Sequence, residues 1–208
     1  MSNFGTMISR IADEIARTDL TATQIPRVIK TAIAEAEIER FWFTEGRAFA
    51  VTDATQGQPA YYDAPTDLIE RDHLIISVNG STYELDHKDW VYLDAIDTQV
   101  TTGLPKAFAY YNDDFRLYPT PDASYTMFIS YHKRLVDLSL SADTNAWMTY
   151  GEAYIRNKAK RILYTDVIRT KPELAAMAAA QEQAAHTALR AESGRRVTKG
   201  KVSARSYF

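Results

Sequence analysis

Apolar residues recur every three or four positions near both ends of the chain. In residues 4–18 this spacing predicts an amphipathic helix. A second helix is predicted over residues 24–40, with Thr23 as its N-cap and Pro26 in its first turn, where a missing N–H is tolerated. Because each helix presents an apolar stripe, each requires a partner that covers it.

Helical spacing returns after the middle of the chain. One helix is predicted from Trp147 to Arg169, and an alanine-rich helix from Pro172 to about Glu192, with Gly194 as its C-cap. The alanine-rich helix has few large apolar residues. It is either a solvated helix of high intrinsic propensity or a close contact between identical subunits. The order of the helices predicts a four-helix bundle formed by N-terminal and C-terminal pairs.

Between the helices, the pattern changes to short segments rich in tyrosine and separated by turn residues. Asn79-Gly80 predicts a hairpin turn. A second turn is predicted at residues 112–114, and a short helix near residues 88–96. The predicted strands span residues 73–78, 81–85, 106–111, 115–118 and 125–133. These segments indicate an antiparallel β domain, either a small sandwich or a barrel-like sheet.

The predicted fold class is therefore α+β, with an inserted antiparallel β domain and an extended C-terminal arm added to the four-helix bundle. The predicted domains are residues 1–40 and 145–193 for the helical bundle, 41–144 for the β domain and 194–208 for the arm. At 208 residues the chain is long enough to bury a core without covalent cross-links.

The charge is unevenly divided between the arm and the rest of the chain. The whole chain has 24 basic and 27 acidic residues, for a net charge of −3. The arm has five basic residues and no acidic one, which leaves −8 for residues 1–193. Its candidate docking residues are Arg195, Arg196, Lys199, Lys201, Arg205, Tyr207 and Phe208.

Three interpretations fit such a segment: an arm that contacts nucleic-acid phosphates, a docking peptide, or a disordered overhang. The aromatic pair Tyr207-Phe208 favours docking, because aromatic side chains anchor interfaces.

The sequence offers little chemistry for catalysis. The absence of cysteine excludes disulfides, thiolate metal sites and cysteine nucleophiles. No H-E-x-x-H, G-x-S-x-G or G-x-G-x-x-G motif occurs, and Asp86, His87 and Asp89 are best explained as a polar turn. We therefore expect no enzymatic activity, cofactor or metal. We also expect no membrane partner and a cytosol-like compartment, because no run approaches about 20 apolar residues and the N-terminus lacks a signal-peptide core.

Tyrosines in the β region offer an alternative function. They could form a stacking platform for carbohydrate or single-stranded nucleic acid, or they could serve only cross-strand packing. The residues concerned are Tyr61, Tyr62, Tyr110, Tyr111 and Tyr118.

Several short motifs, taken in order, resemble tailed-bacteriophage head-to-tail adaptor proteins. Residues 23–40, which begin T-Q-I-P-R-V-I, resemble the second helix of that family, and Y-Y-D-A-P-T-D-L at residues 61–68 resembles the entry to its β region. The family's sheet is resembled by G-L-P-K-A-F at 103–108, F-R-L-Y-P-T-P-D at 115–122 and Y-T-M-F-I-S-Y at 125–131. The resemblance covers nearly the whole chain.

The resemblance implies a structural role in the virion rather than catalysis. Such adaptors form a homo-oligomeric ring, typically a dodecamer, beneath the portal protein of a DNA-filled capsid. They extend the channel for double-stranded DNA and offer a platform to a downstream tail or head-closure protein. The family's C-terminal segment docks on the portal, which corresponds here to residues 194–208. The expected location is the head–tail junction of a virion assembled in the host cytoplasm, and an acidic body suits a channel through which DNA slides without sequence-specific binding.

Overall fold

The computed structural model of the protein describes residues 2–52, 61–97 and 101–198. The chain divides into two compact units, a helical unit (Met1–Thr44 and Leu135–Phe208) and a β unit (Glu45–Arg134). The described residues form six α-helices and eight strands, so the predicted α+β class is correct.

The helical unit contains five of these helices. They are α1 (Phe4–Ile15), α2 (Gln24–Ala36), α4 (Ala146–Tyr150), α5 (Glu152–Ile162) and α6 (Pro172–Thr198), while α3 (Trp90–Ile96) belongs to the β unit. At the start of α1 the Asn3 side chain accepts a hydrogen bond from the Thr6 N–H, and the Thr6 hydroxyl accepts one from the Asn3 N–H, each at 2.8 Å. The apolar stripes of α1 and α2 are buried in one core with Trp147 and Ile155.

The helices of this unit do not form the predicted four-helix bundle. Instead, α1, α2 and α6 each pack against α5, and α6 does so most extensively. A bundle helix needs an apolar stripe of three or four residues every two turns. Within the described part of α6, only Ala178 and Leu189 are buried, so α6 covers one side of α5 and leaves most of its own surface exposed.

The predicted helix from Trp147 to Arg169 is also interrupted. It breaks at Gly151 into α4 and α5, and a π-helical segment, Leu163–Ile168, follows α5. At Gly151 a Cβ atom would lie 2.6 Å from Cε3 of the buried Trp147 ring. Close packing of that ring against the backbone therefore requires glycine at the break.

The last helix extends beyond its predicted C-cap. Gly194 lies inside α6, which continues to Thr198, so the arm expected from Gly194 is helical over its first five residues. A glycine in an exposed helix costs only about 1 kcal/mol relative to alanine. The i,i+4 ion pair between Arg196 and Glu192, at 2.6 Å, spans that position and supports the helix.

The β unit is a sandwich of two four-stranded sheets. Its strands are β1 (Glu45–Val51), β2 (Tyr61–Asp63), β3 (Leu68–Val78), β4 (Ser81–Glu84), β5 (Asp86–His87), β6 (Ala107–Tyr111), β7 (Asp114–Tyr118) and β8 (Thr126–Lys133). The first sheet has the order β1-β8-β3-β4 and the second β2-β7-β6-β5. The pairing is antiparallel, as predicted, except that the short strand β5 runs parallel to β6.

Two tight turns set the hairpin registers. Asn79 and Gly80 join β3 to β4 with φ of 49° and 81°, and Asn112 and Asp113 join β6 to β7 with φ of 53° and 63°. Positive φ at both central residues matches the right-handed twist of the flanking strands. The hairpin predicted from Asn79-Gly80 is therefore confirmed.

Alternation along the strands separates the core of the sandwich from its outer faces. Leu74 and Ile76 of β3 and Met127 and Ile129 of β8 are buried in the core that both sheets share. Their neighbours in sequence therefore point to the outer face of the first sheet.

Candidate functional site

The predicted arm, residues 194–208, is called the basic segment from here on. Its first residues, which lie at the end of α6, contact an aromatic cluster in the helical unit. The Arg196 guanidinium lies 4.4 Å from the centroid of the Trp42 ring and 5.7 Å from that of Tyr150. The Ser193 hydroxyl oxygen accepts a hydrogen bond of 3.2 Å from the backbone N–H of Trp42. Cation–π and hydrogen-bond contacts together hold the last described turns of α6 against these rings.

The aromatic cluster is built from the run Phe41-Trp42-Phe43 and from α4. Phe41 and Phe43 both meet Trp147 edge-on, with ring centroids 5.5 and 4.9 Å apart. Trp42 lies 5.5 Å from Tyr150. The buried rings therefore fix the Trp42 ring, which is only partly buried and receives Arg196.

A group of charged side chains holds α6 in register with its neighbours. Lys158 of α5 lies 3.0 Å from Glu35 of α2 and 3.4 Å from Glu182 of α6, and Arg161 lies 2.5 Å from the second oxygen of Glu182. Burial opposes the charge of Lys158, but its carboxylate partners outweigh burial and raise its pKa. Lys158 therefore stays charged at neutral pH, and the group links three helices.

The candidate docking residues divide into two sets. Arg195 and Arg196 lie in the last turns of α6, where Arg195 is exposed and donates to the Ala191 carbonyl at 3.3 Å. The remaining candidates lie outside the described residues: Lys199, Lys201, Arg205, Tyr207 and Phe208. Sequence reasoning missed Trp42, Tyr150 and Ser193. The aromatic run at residues 41–43 was the available signal, but no local pattern connects it to α6.

The five tyrosines proposed as a stacking platform do not share one surface. Tyr62 is buried in the sandwich core, and Tyr110 packs against that core and donates to Asp113 at 2.8 Å. Only Tyr61 and Tyr111 of the five are exposed. Cross-strand alternation explains the split, because Tyr62 and Tyr110 lie opposite Phe115 on the core face, whereas Tyr61 and Tyr111 point outwards.

The outward tyrosines meet Trp90 of α3 and make an exposed aromatic surface. Tyr61 stacks on Trp90 with ring centroids 5.5 Å apart and planes inclined by 15°, and Tyr111 lies 5.7 Å from Trp90. Asp63 of β2 lies opposite Asp114 of β7, and Asp114 in turn lies opposite Tyr111 of β6. The carboxylates repel phosphate, so this surface does not favour binding of nucleic acid.

Arg116 is buried beneath this surface between two carboxylates. It donates to Asp94 and, at 2.9 Å, to Asp97, and its guanidinium lies 5.8 Å from the Trp90 ring. Burial opposes its charge, but these hydrogen bonds outweigh burial and raise the pKa of Arg116. Two acids surround one base, so the cluster has a net negative charge.

Neither a metal site nor a membrane helix is found in the described part of the chain. Within residues 2–52, 61–97 and 101–198, His, Asp and Glu side chains form no group of three that could hold a metal ion. Asp86 and His87 form the short strand β5 rather than the predicted polar turn, and Asp86 pairs with Lys88 at 3.6 Å. Asp89 caps α3 by accepting a hydrogen bond from the Val91 N–H. Among the same residues, no helix combines the length and apolar character that a bilayer span requires.

Comparison with known proteins supplies the family. The curated proteins searched give no match. A family model described as SU10 adaptor protein matches residues 2–205, which include both units and most of the basic segment. The match confirms the resemblance to head-to-tail adaptors, and it implies a structural component of the phage particle that binds other virion proteins. The chain therefore belongs to the SU10 adaptor protein family.

Proposed function

We propose that the protein is a head-to-tail adaptor that forms a ring, a dodecamer as in the resembled family, beneath the portal protein. The observation that carries this proposal is the family match over residues 2–205. In this role the protein is not an enzyme. It works at the head–tail junction of the virion after assembly in the host cytoplasm, and it joins the portal to a downstream tail or head-closure protein.

The ring extends the channel through which double-stranded DNA leaves the capsid. The net charge of −8 on residues 1–193 supports this part of the proposal, because an acidic wall does not hold phosphates. DNA therefore passes without sequence-specific binding.

The basic segment docks on the portal. Its five positive charges steer it to an acidic partner, and Tyr207 and Phe208 provide aromatic anchors. The position of Arg196 against Trp42 supports this assignment, because it gives the segment a defined point of departure from the helical unit. A fixed origin lowers the entropy that the segment loses on docking.

Truncation after Thr198 tests the docking. This change removes residues 199–208 but keeps α6 and its contacts to Trp42. We expect normal circular dichroism and at least a hundredfold weaker binding to purified portal, since interface anchors each contribute about 2 kcal/mol or more. Equal affinity of the truncated and full-length chains for portal would show that the segment does not dock there.

Two matched variants separate the contributions of charge and aromatic rings within the full-length chain. Replacement of Tyr207 and Phe208 by alanine should raise the dissociation rate from portal. Replacement of Lys199, Lys201 and Arg205 by glutamine should mainly lower the association rate and weaken its dependence on salt, because Arg195 and Arg196 remain.

A further inference from the structure

The β unit has two exposed surfaces on opposite sides of its sandwich. The acidic aromatic surface defined by Tyr61, Trp90 and Tyr111 lies on the outer face of the second sheet. The outer face of the first sheet has its own apolar surface. Since the two sheets share one core, their outer faces point away from each other.

The surface on the first sheet is an apolar row that crosses three strands. Phe49 of β1 lies opposite Phe128 of β8, which in turn lies opposite Ile75 of β3. Phe49 is 73% exposed and Val51, two residues further along the same face, is 59% exposed. We name Phe49, Val51, Phe128 and Ile75 the apolar row. Phe128 and Ile75 are partly buried, so the exposed part of the row is Phe49 and Val51 on β1. Adjacent apolar side chains that reach solvent in this way mark interaction sites.

The position of β1 in the first sheet and the charges beside the apolar row indicate what kind of surface the row contacts. β1 is the edge strand of the first sheet, so Phe49 and Val51 have a neighbouring strand on one side only. The Arg47 guanidinium lies 4.6 Å from the Phe128 ring and adds a positive charge to the row. Glu45 lies at the far end of β1, and Glu84, opposite Ile75, is paired with His73 at 2.5 Å.

The acidic aromatic surface has the complementary chemistry. Its aromatic rings match the apolar row. The exposed Asp63, together with the group of Asp94, Arg116 and Asp97, gives this surface a net negative charge that stabilises an arginine placed against it. Aromatic residues and arginine are the side chains enriched at protein interfaces.

We propose that the β units of neighbouring copies pack head to tail, with the apolar row of one copy against the acidic aromatic surface of the next. Two different surfaces on one chain make a heterologous contact, which generates a ring when the rotation between copies closes. The inference rests on the proposed ring and assigns its subunit interface to the β unit.

Two variants, each with one surface disabled, provide the test. Phe49→Asp introduces a charge into the apolar row. The double variant Tyr61→Ala with Tyr111→Ala removes two aromatic side chains from the acidic aromatic surface. Each variant alone should lose the rings that the wild-type chain forms with portal, as seen by electron microscopy and analytical ultracentrifugation. The conservative Phe49→Tyr variant should retain them.

A mixture of the two disabled variants gives the decisive measurement. The Phe49→Asp variant keeps the acidic aromatic surface, and the tyrosine double variant keeps the apolar row. An equimolar mixture should therefore form dimers through these two surfaces, and the dimers cannot grow into rings. Recovery of the dimer also shows that both variants are folded.

Three results would overturn the assignment. Rings that persist in both variants would place the subunit interface elsewhere while leaving the adaptor function intact. A mixture that stays monomeric, although both variants have wild-type circular dichroism, would show that the two surfaces do not meet. Absence of rings in the wild-type chain with portal would instead remove the proposed ring itself.

Discussion

Two tryptophans, one in each unit, have an arginine beside the ring, and the two arginines differ in almost every other respect. Arg196 lies 4.4 Å from Trp42 at the end of α6, with its side chain 49% exposed. Arg116 lies 5.8 Å from Trp90 in the middle of β7, with its side chain 3% exposed. The arginine of the arginine–tryptophan contact is therefore exposed in the helical unit and buried in the β unit.

The partners of the two arginines explain what each contributes. Arg196 pairs with Glu192 on its own helix, an exposed contact that water and salt weaken. Arg116 joins β7 to Asp94 of α3 and to Asp97, which directly follows α3. Arg116 and Asp97 are both shielded from solvent, whereas the Asp94 side chain is 57% exposed. We infer that Arg116 helps to hold α3 on the sheet, together with the buried Leu93, whereas Arg196 holds the end of α6 against Trp42.

The largest expected effect is that of Arg116→Met. This substitution leaves the buried Asp97 without its positive partner, so we expect unfolding of the β unit to become easier by about 3–5 kcal/mol. Urea denaturation followed by circular dichroism measures this change. Arg116→Lys is the matched control, because it keeps the charge but loses the planar fork, and we expect a smaller loss. A loss below about 1 kcal/mol for Arg116→Met would mean that the buried cluster is not structural.

An intermediate loss of stability is expected at high pH, where Tyr131, another buried polar residue of the β unit, ionises. The Tyr131 hydroxyl donates to Asp67 at 2.9 Å, and burial together with this hydrogen bond raises the pKa of Tyr131 to about 12. The fold therefore favours the neutral phenol. This stability is complete below pH 10 and is lost as the pH rises from about 10 to about 12, with about 1.4 kcal/mol lost at pH 11.

Tyr131→Phe isolates this contribution. The variant should be less stable than wild type at pH 7, because Asp67 loses a hydrogen bond, but its stability should fall less steeply between pH 10 and 12. Urea denaturation at a series of pH values measures both slopes. Identical slopes would show that Tyr131 does not titrate with a raised pKa.

The smallest expected effect is that of Arg196→Met. An exposed i,i+4 ion pair contributes about 0.3–0.5 kcal/mol and an exposed cation–π contact about 0.5–1 kcal/mol, so the helical unit should lose about 1 kcal/mol. The loss should shrink at 1 M salt, because screening has already weakened the pair with Glu192. If Arg196→Met were as costly as Arg116→Met, the contrast between exposed and buried arginines would be wrong.

The sequence predicted those elements whose signals are local. The apolar spacing of α1 and α2 and the Asn79-Gly80 turn depend on neighbours within a few residues, and each was found. The break at Gly151 was missed, because its cause is the packing of Trp147 onto the backbone rather than a helix-ending signal. The C-cap expected at Gly194 was wrong because a single exposed glycine costs too little to end a favourable helix.

The candidate site was predictable in composition but not in placement. Charge counting identified the basic segment, and the described residues Arg195 and Arg196 lie at its start. Nothing in the local sequence connects Arg196 to Trp42, more than 150 positions away. The tyrosines show the same difficulty, because a one-residue step along a strand turns Tyr61 outwards and Tyr62 into the core.

By itself, the sequence determined the α+β class, the hairpins, the uneven division of charge and the resemblance to phage adaptors. Periodicity, turn chemistry, composition and ordered motifs are all carried by the linear chain. Only the tertiary structure decided that α6 covers α5 without completing a bundle, which arginine is buried, and which aromatic residues remain exposed. These outcomes depend on contacts between residues distant in sequence, where burial and charge are set by neighbours that no local pattern identifies.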